Sequence, residues 1–177
     1  MFCDHVVILP EAASILFRGG FPRRPTAPGR QAAQRAIFRV QRELERLAMD
    51  EHRAAVILCD RGTVDGLAYW DDEPARFWAE LYTSHAAELD HYAAVIHLRT
   101  PPDGNGYDHA NPLRLETAAE AALRDRRILD AWAPHPIRTV IGSEVTFLDK
   151  LTAALAVLRP LIPTGCHKRE HRSMTGV

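Results

Sequence analysis

The chain has 177 residues, enough for one domain with a hydrophobic core that needs neither disulfides nor a metal. Hydrophobic residues make up 46% and charged residues 25%, which excludes intrinsic disorder as the main state, and no apolar run is long enough for a membrane-spanning helix. The net charge of −1 argues against a nucleic-acid partner, and the three widely spaced cysteines indicate the reducing environment of the cytoplasm.

The first half of the chain alternates apolar runs with helical patterns. Short runs rich in β-branched residues predict buried strands over 5–9 and 54–59. Between them the sequence predicts a short helix over 11–17 and a longer helix over 31–50, joined by a proline- and glycine-bearing loop over 20–30. The strands are apolar at successive positions, which is typical of strands covered on both faces.

The longer of these helices carries one apolar stripe. Ile37, Val40, Leu44 and Leu47 recur at spacings of three and four residues, so they share one helical face. We expect this stripe to pack against the rest of the protein. The charged residues of the helix, Glu45 among them, are expected to cover the faces that meet solvent.

The second half of the chain continues the alternation of strands and helices. The predicted strands cover 93–98 and 139–141, and the predicted helices cover 63–70, 75–89, 116–132 and 146–158. A long loop is expected over 100–112 and a flexible tail over 160–177. Apolar strands separated by helices predict the α/β class, with a mostly parallel sheet between two layers of helices.

Charged side chains directly follow the first two predicted strands, at the sheet edge where ligands of parallel sheets bind. Asp60 is placed to hold magnesium, through water, beside nucleotide phosphates, and Arg61 would reach into the same cleft. Glu11 could orient or deprotonate an acceptor hydroxyl. The spacing leaves plainer alternatives open: Asp60 as the cap of the next helix, and Glu11 as a first-turn residue stabilised by the helix dipole.

Two further features concern the long loop and the helix that follows it. The segment 100–116 carries Arg114 and Glu116 and is predicted to be either a lid that closes over phosphates or an ordinary solvent loop. Asp125 lies within an apolar helical stripe, where a carboxylate needs a partner. We expect Asp125 either to pair with a buried arginine or to face the cleft and help to place the lid.

Several functional classes are disfavoured by the residues present. Cys166, His167 and His171 have no second cysteine pair, and Cys3 and His5 are isolated, so no zinc site is expected. The arginine-rich helix lacks the interleaved aromatic residues of a nucleic-acid interface. The first residues have neither a basic segment nor a small-residue cleavage site, so a secretory signal is not expected.

Five segments together resemble a family of P-loop ATPase-like proteins, related to the nicotinamide riboside kinase domain and described by an AAA-type ATP-binding domain. The most specific are VILCDRGTVDGLAYW at 56–70 and HANPLRLETAAEAALRDRRILDAWAPHP at 109–136. The others are LPEAASILFRGGFPR at 9–23, AAQRAIFRVQRELE at 32–45 and YAAVIHLRTP at 92–101. The resemblance implies one three-layer, nucleoside-kinase-like P-loop NTPase domain over residues 1–159.

The resemblance also implies roles for individual residues. Asp60 would be the acidic residue on the magnesium side, Arg61 its neighbour in the cleft and Glu11 a member of the acceptor pocket. Nucleotide and lid contacts are assigned to Arg114, Glu116, Arg124 and Arg127. Since the relatives bind ATP or GTP and some transfer phosphate to a small molecule, the implied partners are ATP with Mg²⁺ and an unidentified small-molecule acceptor.

One element of the family is not found in this sequence. Relatives begin with a strand, a G-x-x-x-x-G-K-[ST] loop and a helix; no such loop occurs in the 177 residues, and we expect the first strand and the helix of this unit to be missing with it. The working protein could carry this unit upstream, or the chain could be a degenerate relative. We favour the first, because Glu11, Asp60, Arg61 and Arg114 have the expected residue types. The expected function is ATPase or small-molecule kinase activity, and the alternative is a non-catalytic interaction protein that uses an exposed sheet edge.

Overall fold

Four short strands and six α-helices alternate along the chain in a computed structural model that describes residues 6–51, 56–100, 117–142 and 146–162. The strands are β1 (Val6–Leu9), β2 (Val56–Cys59), β3 (Val95–Leu98) and β4 (Arg138–Ile141). The α-helices are α1 (Ala12–Arg18), α2 (Ala27–Glu51), α3 (Pro74–Leu81), α4 (His85–Asp90), α5 (Ala118–Ala131) and α6 (Phe147–Leu158). Two 3-10 helices cover Thr63–Tyr69 and Arg159–Leu161. Within these ranges, no helix combines the length and the apolar character that crossing a membrane requires.

The predicted order of strands and helices is confirmed, although the element predicted over 63–70 is a 3-10 helix. Helices α5 and α6 start close to their predicted positions because each begins at a threonine cap. The hydroxyl oxygens of Thr117 and Thr146 each accept a hydrogen bond at 3.2 Å from the backbone N–H three residues later. The predicted lid beyond residue 100 and the tail beyond residue 162 lie outside the described residues.

Helix α2 begins inside the segment predicted as a loop. Thr26 caps it: the Thr26 carbonyl accepts from Arg30 N–H at 2.9 Å, and Thr26 Oγ1 accepts from Gly29 N–H at 3.3 Å. Pro28 fits here because the N–H groups of the first turn have no helical partner in any case. The proline and glycine that predicted a loop therefore lie in the first turn of a 25-residue helix.

The single helix predicted over 75–89 is two helices, α3 and α4. Helix α3 ends at Tyr82, whose backbone is left-handed with a φ of 59°. Helix α4 starts at a new cap, Ser84, whose side chain accepts from Ala87 N–H at 3.2 Å. The prediction was wrong because a left-handed residue other than glycine leaves no mark in the spacing of apolar residues.

The strands form two parallel pairs rather than one continuous sheet. Strand β1 pairs with β2 in the register Val6–Val56 to Leu9–Cys59, and β3 pairs with β4 in the register Val95–Arg138 to Leu98–Ile141. The parallel orientation is confirmed, whereas the single sheet is corrected. No strand in the described ranges joins the two pairs, so each pair keeps edges without a hydrogen-bonded neighbour.

The buried face of α2 is not the predicted apolar stripe. Its buried residues are Ala33, Gln34, Phe38, Gln41, Glu45 and Ala48. Leu47 is 51% exposed, and Val40 and Leu44 line a groove at the surface. The prediction was wrong because hydrogen bonds, which residue spacing does not reveal, hold Glu45 inside the protein.

The hydrophobic core lies around the first 3-10 helix, between α2, α3, α4 and α5. Its members are Phe38, Val64, Ala68, Trp70, Phe77, Trp78, Leu81, Leu89, Ile128, Ala131 and Trp132. The ring centroid of Phe77 lies 4.6 Å from that of Trp78 and 5.1 Å from that of Trp70, with the planes inclined. This packing fixes the 3-10 helix and therefore the loop that connects it to the end of β2.

Candidate functional site

A cleft with a volume of about 810 Å³ opens where β1 and β2 end. Glu11 follows β1 and Asp60 follows β2, and both line the cleft. The parallel pairing brings the two strand ends together, since Asp60 N–H donates to the Leu9 carbonyl at 3.2 Å. Parts of α1, α2, the first 3-10 helix and α5 complete the lining. A cleft of this size is suited to a small-molecule ligand.

Two carboxylates of the cleft, Glu11 and Asp65, affect the ionisation of a third, Asp60. Burial, the negative charge of Glu11 and, to a smaller extent, that of Asp65 raise the pKa of Asp60 above its ordinary value of 3.8, while Arg61 opposes the rise. A cation beside Asp60 would therefore stabilise its ionised form. The alternative role of Asp60 as a helix cap is not found, because Gly62 occupies the cap position and no side chain caps that helix.

Arg61 connects the carboxylates on the two sides of the cleft. Its Nη1 lies 3.1 Å from Asp65 Oδ2, and its Nε lies 4.0 Å from Glu11 Oε1. Asp65 is held in turn by Trp132, whose indole Nε1–H donates to Asp65 Oδ1 at 2.5 Å. The Arg61 side chain is 45% exposed, so its guanidinium remains accessible to an anionic group that enters the cleft.

Glu11 stands at the position that precedes α1, but its carboxylate does not cap the helix backbone. It accepts a short hydrogen bond from the Ser14 hydroxyl instead. This contact orients the carboxylate at the cleft wall, to which Ser14 also contributes. Glu11 therefore lines the cleft and also lies at the N-terminus of α1, so its functional role and its alternative role beside the helix dipole both stay predictions.

Of the four residues assigned to nucleotide and lid contacts, Arg124 lines the cleft. The Arg124 guanidinium donates to a carbonyl of the first 3-10 helix at 2.7 Å and lies over the Tyr69 ring, 4.8 Å from its centroid. Arg127 is exposed on α5 and is not part of the lining. Arg114 and Glu116 lie outside the described residues.

Asp125 does not line the cleft but pairs with an arginine, the first of its two predicted roles. Arg99 Nε donates to it at 2.5 Å, the Thr100 N–H donates at 3.1 Å, and His97 Nε2 lies at 3.1 Å. Burial opposes the ionisation of Asp125, but these hydrogen bonds outweigh it and lower its pKa below 3.8. The partner arginine is itself 35% exposed, at the end of β3.

A buried polar network lies behind the cleft, and sequence reasoning missed it. Glu45, 3% exposed, accepts hydrogen bonds from Tyr92 Oη–H at 2.7 Å and from Gln41 Nε2–H at 2.8 Å, and His91 Nε2 lies 3.0 Å from its second oxygen. The sequence did contain a signal for this network. Gln34 and Gln41 are polar residues seven positions apart, on the helical face that also carries Glu45.

The network extends to the loop between Asp60 and the first 3-10 helix. Tyr92 Oη accepts from Thr63 N–H at 2.8 Å, and Thr63 Oγ1 donates to the buried Glu88 at 2.7 Å. Beside them, a Cβ added to Gly62 would lie 2.6 Å from the Trp132 ring, so only glycine permits this packing. These contacts fix the backbone that presents the cleft residues.

Comparison with known proteins identifies the family. The family model of the AAA domain matches residues 3–148, which is most of the chain, so the protein belongs to this family of P-loop AAA-type domains. The family resemblance predicted from the sequence is confirmed, and the helices and short parallel strands agree with the α/β fold of P-loop NTPases. Membership supports nucleotide binding as the general class of function. The chain matches no curated protein and no solved structure.

Domains of this class generally use ATP with Mg²⁺, and the residues of the cleft can be compared with that requirement. The described residues hold no group of three or more His, Cys, Asp or Glu side chains that could bind a metal by themselves. Mg²⁺ often keeps several waters and takes only one or two carboxylates together with phosphate oxygens. Asp60, a cleft carboxylate with a raised pKa, fits the role of a single carboxylate that holds hydrated Mg²⁺. The histidines and cysteines considered for zinc lie outside the described residues.

Proposed function

We propose that the protein transfers the γ-phosphate of ATP to a hydroxyl group of a small molecule held in the cleft. The observation that carries this proposal is the convergence of Asp60, Arg61 and Glu11 at the carboxyl ends of two parallel strands. Open α/β folds bind ligands at this edge. Phosphoryl transfer needs a carboxylate for the metal, a cation for the phosphate and an acceptor for a proton, and these residues have those chemistries.

In the proposed reaction the acceptor oxygen bonds to the γ-phosphorus while the bond from that phosphorus to the β–γ bridging oxygen breaks, and ADP leaves. Glu11, oriented by Ser14, takes the proton of the acceptor hydroxyl. Arg61 stabilises the charge on the oxygens of the transferred group. Asp60 would hold hydrated Mg²⁺, which neutralises phosphate charge when bound. Water in place of the acceptor gives ATP hydrolysis.

The first test is calorimetric titration of MgATP. Because no G-x-x-x-x-G-K-[ST] loop occurs in the 177 residues, the chain and a version extended by the upstream in-frame coding sequence are titrated in parallel. Binding by either form is the expected result. If neither form binds MgATP, the proposed function is wrong.

The second test is the rate of ATP hydrolysis in the form that binds. We expect Asp60→Asn to lower kcat by about 100-fold or more, because it weakens the hold on the metal beside the phosphates. The matched control is Asp50→Asn, since Asp50 is exposed at the end of α2, far along the helix from the cleft lining. Equal kcat values in the two variants would contradict the role of Asp60.

A second candidate function is strand-mediated protein interaction without nucleotide chemistry. The observation that favours it is the division of the strands into two pairs whose outer edges have no strand partner in the described ranges. Unpaired edges can bind a further strand. The MgATP titration separates the two functions, because the interaction protein requires no nucleotide binding in either form.

A further inference from the structure

Along one wall of the cleft all the charged residues are arginines. One wall, formed by the end of α1, the segment after it and the start of α2, contributes Arg18, Arg23, Arg24 and Arg30 and no carboxylate. The carboxylates of the lining come from the strand ends, the first 3-10 helix and α5, and Arg61 and Arg124 lie among them. One wall is therefore wholly basic, and the rest of the lining carries both signs, including carboxylates that can accept a proton or a cation.

The four arginines of the basic wall differ in the contacts that they make within the protein. Arg30 pairs with Asp71, and the Arg23 guanidinium lies over the Phe17 ring, 4.3 Å from its centroid. Arg18 and Arg24, in contrast, have no hydrogen bond or ion pair within the described part of the chain. Two guanidinium groups at one wall thus keep all their N–H donors available for an anion.

The basic wall is held in place by the start of α2. A Cβ on Gly29 would lie 2.4 Å from Arg24 Cβ, so the glycine allows the two segments to touch. Arg30 of α2 donates to the Pro25 carbonyl, which ties the segment to the helix, and also to Asp71, which lies after the first 3-10 helix. The backbone that presents Arg24 is therefore fixed, which reduces the entropy lost when an anion binds.

We infer that the ligand of the cleft carries an anionic group, a carboxylate or a phosphate monoester, which Arg18 and Arg24 bind. The assignment rests on the proposed function, in which a hydroxyl group at the other end of the same ligand meets Glu11. Phe17 and Phe38 supply the apolar lining for the body between the two ends. The acceptor is thus a hydroxylated anion and not a neutral alcohol or a cation.

The test is calorimetric titration with three small probes that share one benzene ring and one hydroxymethyl group. Two are anions, 4-(hydroxymethyl)benzoate and 4-(hydroxymethyl)phenyl phosphate, and the third is the neutral diol 1,4-benzenedimethanol. We expect the better anion to bind at least about tenfold more tightly than the diol, because it gains charge-assisted hydrogen bonds. The ranking of the two anions decides between carboxylate and phosphate.

Variants locate the binding. The double variant R18Q/R24Q is expected to lose about tenfold in affinity for the better anion and nothing for the diol. The control R46Q removes an arginine that is exposed on α2 outside the cleft and should leave all affinities unchanged. Anions that bind no better than the diol, or an R18Q/R24Q variant that binds as the parent does, would overturn the inference.

Competition with MgATP separates this inference from the proposed function. If MgATP displaces the anionic probe, the basic wall binds the nucleotide and the acceptor assignment is wrong. If the probe binds at the basic wall but MgATP binds neither form of the protein, the anion site stands and the proposed function fails. Simultaneous binding of both ligands supports both proposals.

Discussion

Glu45 makes the hydrogen bonds that hold together the elements behind the cleft. A carboxylate that is almost completely buried is costly unless its oxygen atoms are hydrogen-bonded. Side chains from three elements meet this need: Gln41 on the same helix, Tyr92 after α4, and Cys59 at the end of β2, whose sulfur lies 3.7 Å from Glu45. The same contacts join α2 to the strand that carries the cleft residues.

The Tyr92 hydroxyl provides a test of this network. We expect Tyr92→Phe to lower the free energy of unfolding by about 1–3 kcal/mol, because the Thr63 N–H loses its partner and Glu45 Oε1 loses one of its donors. The matched control is Tyr82→Phe, at a side chain that is 90% exposed, and it should change the value by less than about 0.5 kcal/mol. Urea unfolding measures both; equal values would exclude a stabilising role for the network.

The reactivity of Cys59 provides a second test. Burial and the nearby Glu45 carboxylate raise the pKa of the Cys59 thiol to about 12, so at pH 8 the thiol is almost entirely protonated. In a C3S/C166S background, we expect native Cys59 to react with a disulfide reagent far more slowly than the urea-unfolded chain. Because burial is the main cause, Glu45→Gln should restore only part of the rate. Rapid labelling of the native protein would contradict the raised pKa.

Asp125 makes the stability depend on acid pH in a predictable direction. Its pKa is lower in the folded chain than the ordinary 3.8, so its contribution is complete above the unfolded pKa and is lost as the pH falls through the folded pKa. We expect Asp125→Asn to cost about 2 kcal/mol at pH 7, and the difference from the parent to shrink below about pH 4.

The control for this measurement is Asp130→Asn, an exposed carboxylate on the same helix. It should have little effect at either pH. A penalty for Asp125→Asn that stays constant from pH 7 to pH 3 would mean that ionisation of Asp125 does not stabilise the fold.

At the scale of the element, α2 allows a direct comparison of the predicted and the observed buried faces. We expect Phe38→Ala to lower the free energy of unfolding by about 3–5 kcal/mol, because Phe38 lies in the core. Leu47→Ala should cost less than about 1 kcal/mol, because Leu47 is half exposed. If Leu47→Ala proves as costly as Phe38→Ala, the helix buries the apolar stripe after all, and the observed orientation is wrong.

The elements differ in how well the sequence predicts them. The strands and α5 and α6 could be predicted because apolar runs and threonine caps are local signals. The break between α3 and α4 and the buried face of α2 could not, since they depend on a left-handed tyrosine and on partners of Glu45 that are distant in sequence. For the cleft, strand ends predicted Glu11, Asp60 and Arg61, whereas the wall with Arg18 and Arg24 emerges only when α1 and α2 are packed.

At the scale of the whole molecule, apolar strands were expected to be covered on both faces, but the described residues do not cover them. Ile8 of β1 is 64% exposed, and Leu98 of β3 and Val140 of β4 are also exposed. Helix α6 is apolar, yet none of its residues is buried. The core cluster instead gathers around the first 3-10 helix, so the two strand pairs and α6 are less protected than that cluster.

This exposure predicts that the folded 177-residue chain binds a hydrophobic dye such as ANS, because Phe147, Leu148 and Leu151 place exposed apolar side chains close together at the start of α6. The F147S/L148S variant should reduce the dye fluorescence without lowering Tm, since both side chains are more than two-thirds exposed. Tyr82→Ser removes an even more exposed aromatic ring, directly after α3 and away from α6 in the sequence, and should leave the fluorescence unchanged. A folded chain that binds no dye would mean that residues outside the described ranges cover the apolar surface. That result would also weaken the case for an interaction role, because the surface would no longer be accessible to a partner.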